Sequence, residues 1–268
     1  MKKQLIILLF VLIIPQQSFS QVNPGARQIA LVHSDISFAE DVFTIFNNPA
    51  GLSNISSREI GFFYSPTLYG LTEVRTGSGS YVEPTRFGSF SCGFILYGFE
   101  LYKETKIAFG YSYKIADKFS LGFTSIYKNI SIRNYGSKGF FSINLGGIAD
   151  LTKKLKLGFV LENLTRTSVG NESNQFPVVF SSGIGYKAFE ALTCFLTIIK
   201  ELNYNPSFRI GAEYSLLKFI QIRFGTSNEP NLFSGGIGIL YEFIQADYAF
   251  TSHPDLGLSY QFGIVIRF

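Results

Sequence analysis

The chain has 268 residues, a formal net charge of only +4 and two cysteines, with 46% hydrophobic against 16% charged residues. So slight a charge excludes a partner held by a basic surface, nucleic acid included, and two cysteines exclude a disulfide framework. The length fits one soluble domain or one barrel, so the pattern of residues has to decide between them.

Residues 1–20 read as a secretory signal peptide. Met1-Lys2-Lys3 supplies the basic start, Leu5 to Ile14 the apolar run, and Ser18-Phe19-Ser20 the small-residue cut before Gln21. The run is too short for a spanning helix, which needs about 20 apolar residues. No later stretch matches its length and purity, so no transmembrane helix is expected in the mature chain. Loss of Lys2 and Lys3 lowers the formal charge from +4 to +2.

Residues 21–56 have a different texture, without two-residue alternation. Asp41 is placed to cap a short helix carrying Val42, Ile45 and Phe46, and Pro49 would end it. As a surface tail, this arm would leave its apolar residues in water. As a plug inside a lumen, it would bury them.

Residues 57–268 read as strands. Ile107, Phe109, Tyr111 and Tyr113 alternate with Ala108, Gly110, Ser112 and Lys114. Leu155 to Glu162, Phe208 to Ser215 and Phe233 to Phe243 repeat the pattern. The last stretch, Leu258 to Phe268, is apolar at every second position and ends on an aromatic residue. Side chains alternate across a strand, so each segment has one greasy and one wet face. Repeated in nearly every strand, this describes a closed antiparallel transmembrane β-barrel, with lipid outside and a polar lumen inside.

Tight breaks near Ala116-Asp117, Lys153-Lys154, Phe189-Glu190, Leu217-Lys218 and Phe243-Ile244 alternate with looser ones. The looser ones are 134–138, 165–175, 203–205, 227–231 and 252–257. Short connections on the periplasmic side and longer ones outside are the habit of outer-membrane barrels. The segments number 14, with 12 as the alternative. About 15 residues per strand and turn accommodate the 9–11 that a tilted spanning strand requires.

The stretch from Tyr69 to Lys103 is the least regular. Gly77-Ser78-Gly79-Ser80 is polar for a lipid-facing strand, and the apolar phase set by Phe90, Cys92, Phe94 and Leu96 changes at Phe99 and Leu101. The slip at Tyr97-Gly98 predicts a bulge, a kink or a gap in the wall. On the polar phase fall Lys114, Lys156, Glu162, Lys187, Arg209, Glu213, Arg223, Glu242, Asp247 and Arg267. Their mixed signs suit either scattered lumen solvation or a salt-bridge network holding a plug. Cys92 and Cys194 sit in apolar runs and read as small fillers.

No enzyme is expected. His33 and His253 are the only histidines, and His253-Pro254-Asp255 is turn-forming chemistry. Gly235-Gly236-Ile237-Gly238 lacks the strand-then-helix setting of a dinucleotide fold, and no metal-ligand spacing or cofactor motif occurs.

The order Gly25-Ala26-Arg27, then Glu40-Asp41, then Asn48-Pro49-Ala50-Gly51-Leu52 resembles the start of FadL-type outer-membrane proteins, closest to the PorV/PorQ family. His33-Ser34 stands where that family often has a Gly pair. The resemblance implies a 14-stranded barrel in the outer membrane of a Gram-negative bacterium, surrounded by its lipid. It further implies an arm inside the barrel and a hatch at Asn48, Pro49, Ala50 and Gly51. FadL-like transporters open sideways at a kinked early strand, which would place that gap at Tyr97 and Gly98. Two functions follow. One is an association with type IX secretion, with a secretion-system protein or secreted cargo as partner. The alternative is passage of small hydrophobic compounds.

Overall fold

A computed structural model describes residues 23–166, 176–202 and 204–268. The expected signal peptide, residues 1–20, lies outside the described residues, as does most of the break at 165–175. Two short helices, α1 (Ala26–Ala30) and α2 (Thr44–Asn47), and a 3-10 turn (Pro49–Asn54) precede the strands. The strands are β1 (Glu59–Ser65), β2 (Arg75–Thr85), β3 (Gly88–Gly98), β4 (Tyr102–Ala116), β5 (Phe119–Ile132), β6 (Gly136–Asp150) and β7 (Leu155–Glu162). They continue as β8 (Val179–Phe189), β9 (Leu192–Glu201), β10 (Ser207–Leu217), β11 (Ile220–Asn228), β12 (Asn231–Tyr241), β13 (Ile244–His253) and β14 (Gly257–Arg267).

Each strand pairs antiparallel with its neighbours in sequence, and β1 returns to β14 from Glu59↔Arg267 to Tyr64↔Phe262. The barrel is therefore closed at 14 strands, not 12. Closure matters physically, because a strand edge left open to lipid would strand backbone donors and acceptors without water.

The alternation sorts side chains as a lipid-facing wall requires. On β12, Phe233, Ile237, Ile239 and Tyr241 point outward, while Ser234, Gly236 and Gly238 point in. On β10 the outward Phe208 and Tyr214 stand towards the two rims with Ile210 between them. Cys92 and Cys194 are unbridged and exposed on the outer face.

The polar stretch of β2 is also wall. Its Gly77 and Gly79 face outward and its Ser78 and Ser80 inward. The greasy cover comes from the next strand, where the Phe94 ring lies 2.7 Å from the place a Cβ on Gly79 would occupy. The phase change at Tyr97-Gly98 is a hairpin, which corrects the bulge or kink expected there. Gly98 is the last residue of β3, takes a φ of 121°, and pairs with both Arg75 and Lys103. The chain turns at residues 99–101, so a new strand starts in a new phase.

The end carrying Phe268 and the start of β1 has two-residue turns at Arg86-Phe87, Asp117-Lys118, Glu190-Ala191, Lys218-Phe219 and Glu242-Phe243. The opposite end has longer connections at 66–74 and 163–178, but its turn at Glu229-Pro230 is equally tight. The expectation of loose breaks at 134–138 and 227–231 fails because their polar residues continue the ladder beyond the apolar belt. β4, β5 and β6 run to 15, 14 and 15 residues, and their far ends turn polar side chains outward. These three strands rise above the rest of the wall.

Candidate functional site

The first described residues fill the lumen. Ile29, Val42, Phe43, Ile45, Phe46 and Leu52 are buried together with Phe63, Val82, Ile95 and Val265 of the wall. The Phe43 ring meets Phe63 edge-on, with centroids 6.4 Å apart. An isolated arm of three single-turn elements would not hold its shape in water. Here the barrel supplies the apolar partner.

The expected helix begins later than the pattern suggested. Asp41 accepts the Phe43 N–H at 3.0 Å, and the helical turn starts at Thr44. Pro49 ends it and opens the 3-10 turn, where Asn48 Oδ1 accepts the Ala50 N–H at 3.1 Å. The Asn48 amide donates to Ile36 O at 2.7 Å and to Gly147 O of β6 at 3.3 Å. Ser112 of β4 and Thr124 of β5 donate to Ala50 O and Ile45 O at 2.9 and 3.0 Å. Asn48, Pro49, Ala50 and Gly51 are thus brought together, buried, against β4, β5 and β6.

The wall is shaped to receive this segment. A Cβ on Gly122 would stand 2.5 Å from the Pro49 carbonyl, and one on Gly146 would stand 2.1 Å from Asn48 Oδ1. Inward glycines on other strands, among them Gly61, Gly158, Gly211 and Gly225, lie as closely against Val42, Ile36, Ser34 and Leu31. A ring of missing side chains forms the seat.

An ionic network ties the plug to the opposite wall. Arg27 donates to Asp35 at 2.9 Å and to both carboxylate oxygens of Glu213 at 2.9 and 3.2 Å. Arg223 bridges Glu213 at 2.7 Å and Asp247 at 2.5 Å. Gln245 links Asp247 to Arg267, which closes on Glu59 at 2.9 Å. The chain of contacts therefore runs from plug to the β1–β14 seam. Arg209 donates to Val32 O at 3.0 Å, and Lys156 reaches Glu40 at 3.4 Å. Clefts of about 200 and about 450 Å³ flank Glu40 at the end carrying Phe268 and reach Glu213 on one side and Glu59 on the other.

Burial shapes the charges of the plug. It lifts the Asp35 carboxyl to about 6 against the pull of Arg27, and it raises Asp41 as well. It lowers His33 to about 3, helped by the nearby Arg209, so the imidazole is neutral. Neither ring nitrogen of His33 has a partner among the described residues.

Of the other residues expected in the lumen, Glu162 lines it on the far side of the plug. Lys114 falls in the inward phase but is exposed at the short-turn rim. Glu242 does not reach the lumen; it occupies the β12–β13 turn at φ 50°, exposed, because β12 ends one residue earlier. Tyr97 faces inward and packs edge-on against Tyr102 at 6.5 Å. Sequence reasoning passed over Asp35, Glu59, Gln245 and the glycine seat. The inward phase of the glycines was the available signal.

No protein-family model and no curated protein matches the chain. Several solved structures share its fold. The CymD monoaromatic hydrocarbon channel superposes with a TM-score of 0.72 at 13% identity, over 94% of this chain and 99% of that one. The Pseudomonas putida toluene transporter TodX gives 0.65 at 12% identity, over 94% and 99%. A Pseudomonas aeruginosa FadL homologue gives 0.63 at 12%, over 92% and 97%. The fold is that of FadL-type barrels.

Proposed function

We propose that this barrel sits in the outer membrane of a Gram-negative bacterium and passes small hydrophobic compounds across it, past a plug that moves to admit them. The observation carrying this reading is a lipid-facing closed wall around a buried, specifically seated segment. A lumen that served only as a scaffold would not need a seat carved for a separable piece of chain. The short-turn end, which carries Phe268, would face the periplasm, and β4–β6 would rise on the outside. Asn48 to Gly51 act as the hatch, and Arg27, Glu213 and Arg223 hold it shut.

Support comes from the fold shared with the hydrocarbon channel and the toluene transporter. The secretion-associated reading draws on the N-terminal motif and on short outer connections. A sideways exit at Tyr97-Gly98 has lost its motivation, since β3 is paired on both edges up to Gly98.

The reading is tested by reconstituting the purified chain in liposomes and following radiolabelled toluene at low temperature, with plain liposomes as the blank. Uptake faster than the blank supports passage. Uptake equal to the blank, together with a secreted protein recovered in stoichiometric yield from the native membrane, would favour secretion instead.

A further inference from the structure

The short-turn rim is lopsided in charge. Three consecutive connections, from β2–β3 to β6–β7, carry Arg86, Lys118, Lys153 and Lys154, all exposed, and Asp117 is their one acid. Among the described residues, none of these four cations is in an ion pair. The acids nearby are taken elsewhere, since Asp150 faces Lys156 at 3.8 Å and Glu83 holds Arg58 at 2.9 Å. Around the other half of the rim the signs alternate. Glu190 has Lys187 at 3.7 Å, and the next two short turns bring Lys218 and then Glu242.

The basic arc is held in place. The Tyr111 hydroxyl donates to Phe87 O at 2.7 Å, Asp150 N to Lys118 O at 2.8 Å, and Lys187 N to Lys154 O at 2.8 Å. Each connection is thus tied to the strand beyond the hairpin it closes, so the barrel fixes the spacing of the backbones that bear the cations.

Apolar side chains stand on the same arc. Phe87 is 64% exposed, Tyr113 47%, Ile115 57% and Leu151 50%. The Arg86 guanidinium lies over the Phe87 ring, 4.6 Å from its centroid. Tyr113 and Ile115 continue the outward phase of Ile107 and Phe109, and Lys118 follows just past the end of that strand.

The occupant's chemistry follows from what each alternative leaves uncovered. A soluble polyanion would meet the cations and leave the apolar side chains in water. A zwitterionic lipid would cover the apolar side chains and bring no net charge to the cations. A lipid with an anionic headgroup does both, its chains against Phe87, Ile115 and Leu151 and its phosphate level with the cations.

We infer that this arc is a binding surface for anionic phospholipid, on the side of the barrel where β4–β6 rise. The inference rests on the placement of the barrel in a membrane and not on what the barrel passes.

The full-length protein is reconstituted in phosphatidylcholine bilayers with a trace of spin-labelled phosphatidylglycerol or spin-labelled phosphatidylcholine. Electron paramagnetic resonance then reads how much of each lipid the protein immobilises. Phosphatidylglycerol should be favoured at least about twofold, because every cation near the bilayer surface attracts an anionic headgroup. Salt at about 1 M should shrink the preference, since exposed charges are screened beyond about 3 Å there. The combined variant Arg86→Gln/Lys118→Gln/Lys153→Gln/Lys154→Gln should abolish it, and Lys218→Gln on the other half should keep it. Heat-modifiable gel migration checks that both variants fold. No preference in the unaltered protein, or one that survives in the combined variant, overturns the inference. Poly-glutamate held by the same four cations, with no preference among lipids, would overturn it too and assign the arc to an acidic protein. Toluene flux across the same bilayers reports on passage separately. If the preference is found and toluene does not cross, passage falls and the surface stands. If toluene crosses and no preference is found, the surface falls and passage stands.

Discussion

Arg27 of the plug grips Glu213 of β10 with two nitrogens, at 2.9 and 3.2 Å, although 186 residues separate them in the chain. Glu213 in turn accepts from Arg223, so one carboxylate holds two guanidinium groups. Its loss would leave both cations buried and short of a partner. Glu213→Gln should therefore loosen the plug by several kcal/mol, about the 3–5 measured when a buried pair is broken. Planar-bilayer recordings should show frequent openings that the unaltered protein lacks.

The glycine seat gives a sharper contrast. Gly122→Val would drive a side chain into the Pro49 carbonyl, 2.5 Å away, while Gly77→Val on the outer face meets nothing within 4 Å. Both lie in the wall and both add the same atoms. The first should expose the plug to added protease in detergent, and the second should leave digestion as it was. Equal protection in both variants would remove the seat from the account.

Asn48 combines a cap with a tie to the wall. Asn48→Ala removes acceptance from Ala50 N and donation to Ile36 O and Gly147 O, and it strands these groups in a dry interior. A cost of about 1–3 kcal/mol is expected. The hatch, rather than the barrel, should report it, as faster hydrogen exchange at residues 48–54 with strand amides unchanged.

Acid should weaken the seat through His33. Its folded value, about 3, lies below the ordinary 6.5, so the unfolded chain binds a proton more readily. Stability from this group is complete above about pH 6.5 and declines as the pH falls from there towards 3. Asp35, raised from 3.8 to about 6, works the other way, favouring the seated state as the pH drops through that window. Asp41 and Glu59, also raised by burial, work with Asp35, so the His33 contribution is read as a difference: on acidification the temperature at which gel mobility changes should move further downward in the unaltered protein than in His33→Gln.

Much of this molecule was legible in its sequence because the lipid imposes a rule on every strand. Phe208, Ile210 and Tyr214 have to face one way, and that necessity alone gives the wall and its closure. The turns were harder, since beyond the apolar belt polar residues such as Ser137 and Ser227 continue a strand or leave it with the same composition. Gly98 illustrates this. One residue in a positive-φ turn shifts the phase just as a bulge would. Glu242 was misplaced for the same reason, lying one residue past the end of β12. The seat was hidden differently, because an inward glycine reads as polar phase until the segment lying against it is known. The partners of Arg27 were beyond reach, as no spacing relates it to Glu213.

Passage requires the plug to move. Ser34 Oγ lies 2.3 Å from where a Cβ on Gly211 would stand, so cysteines at both positions, with Cys92 and Cys194 changed to serine, should bridge plug to wall. In liposomes the oxidised Ser34→Cys/Gly211→Cys barrel should pass its solute no faster than the blank, and a reductant should restore the flux. Flux that is the same with the bridge closed or open would contradict the account, because the plug would then be part of the wall.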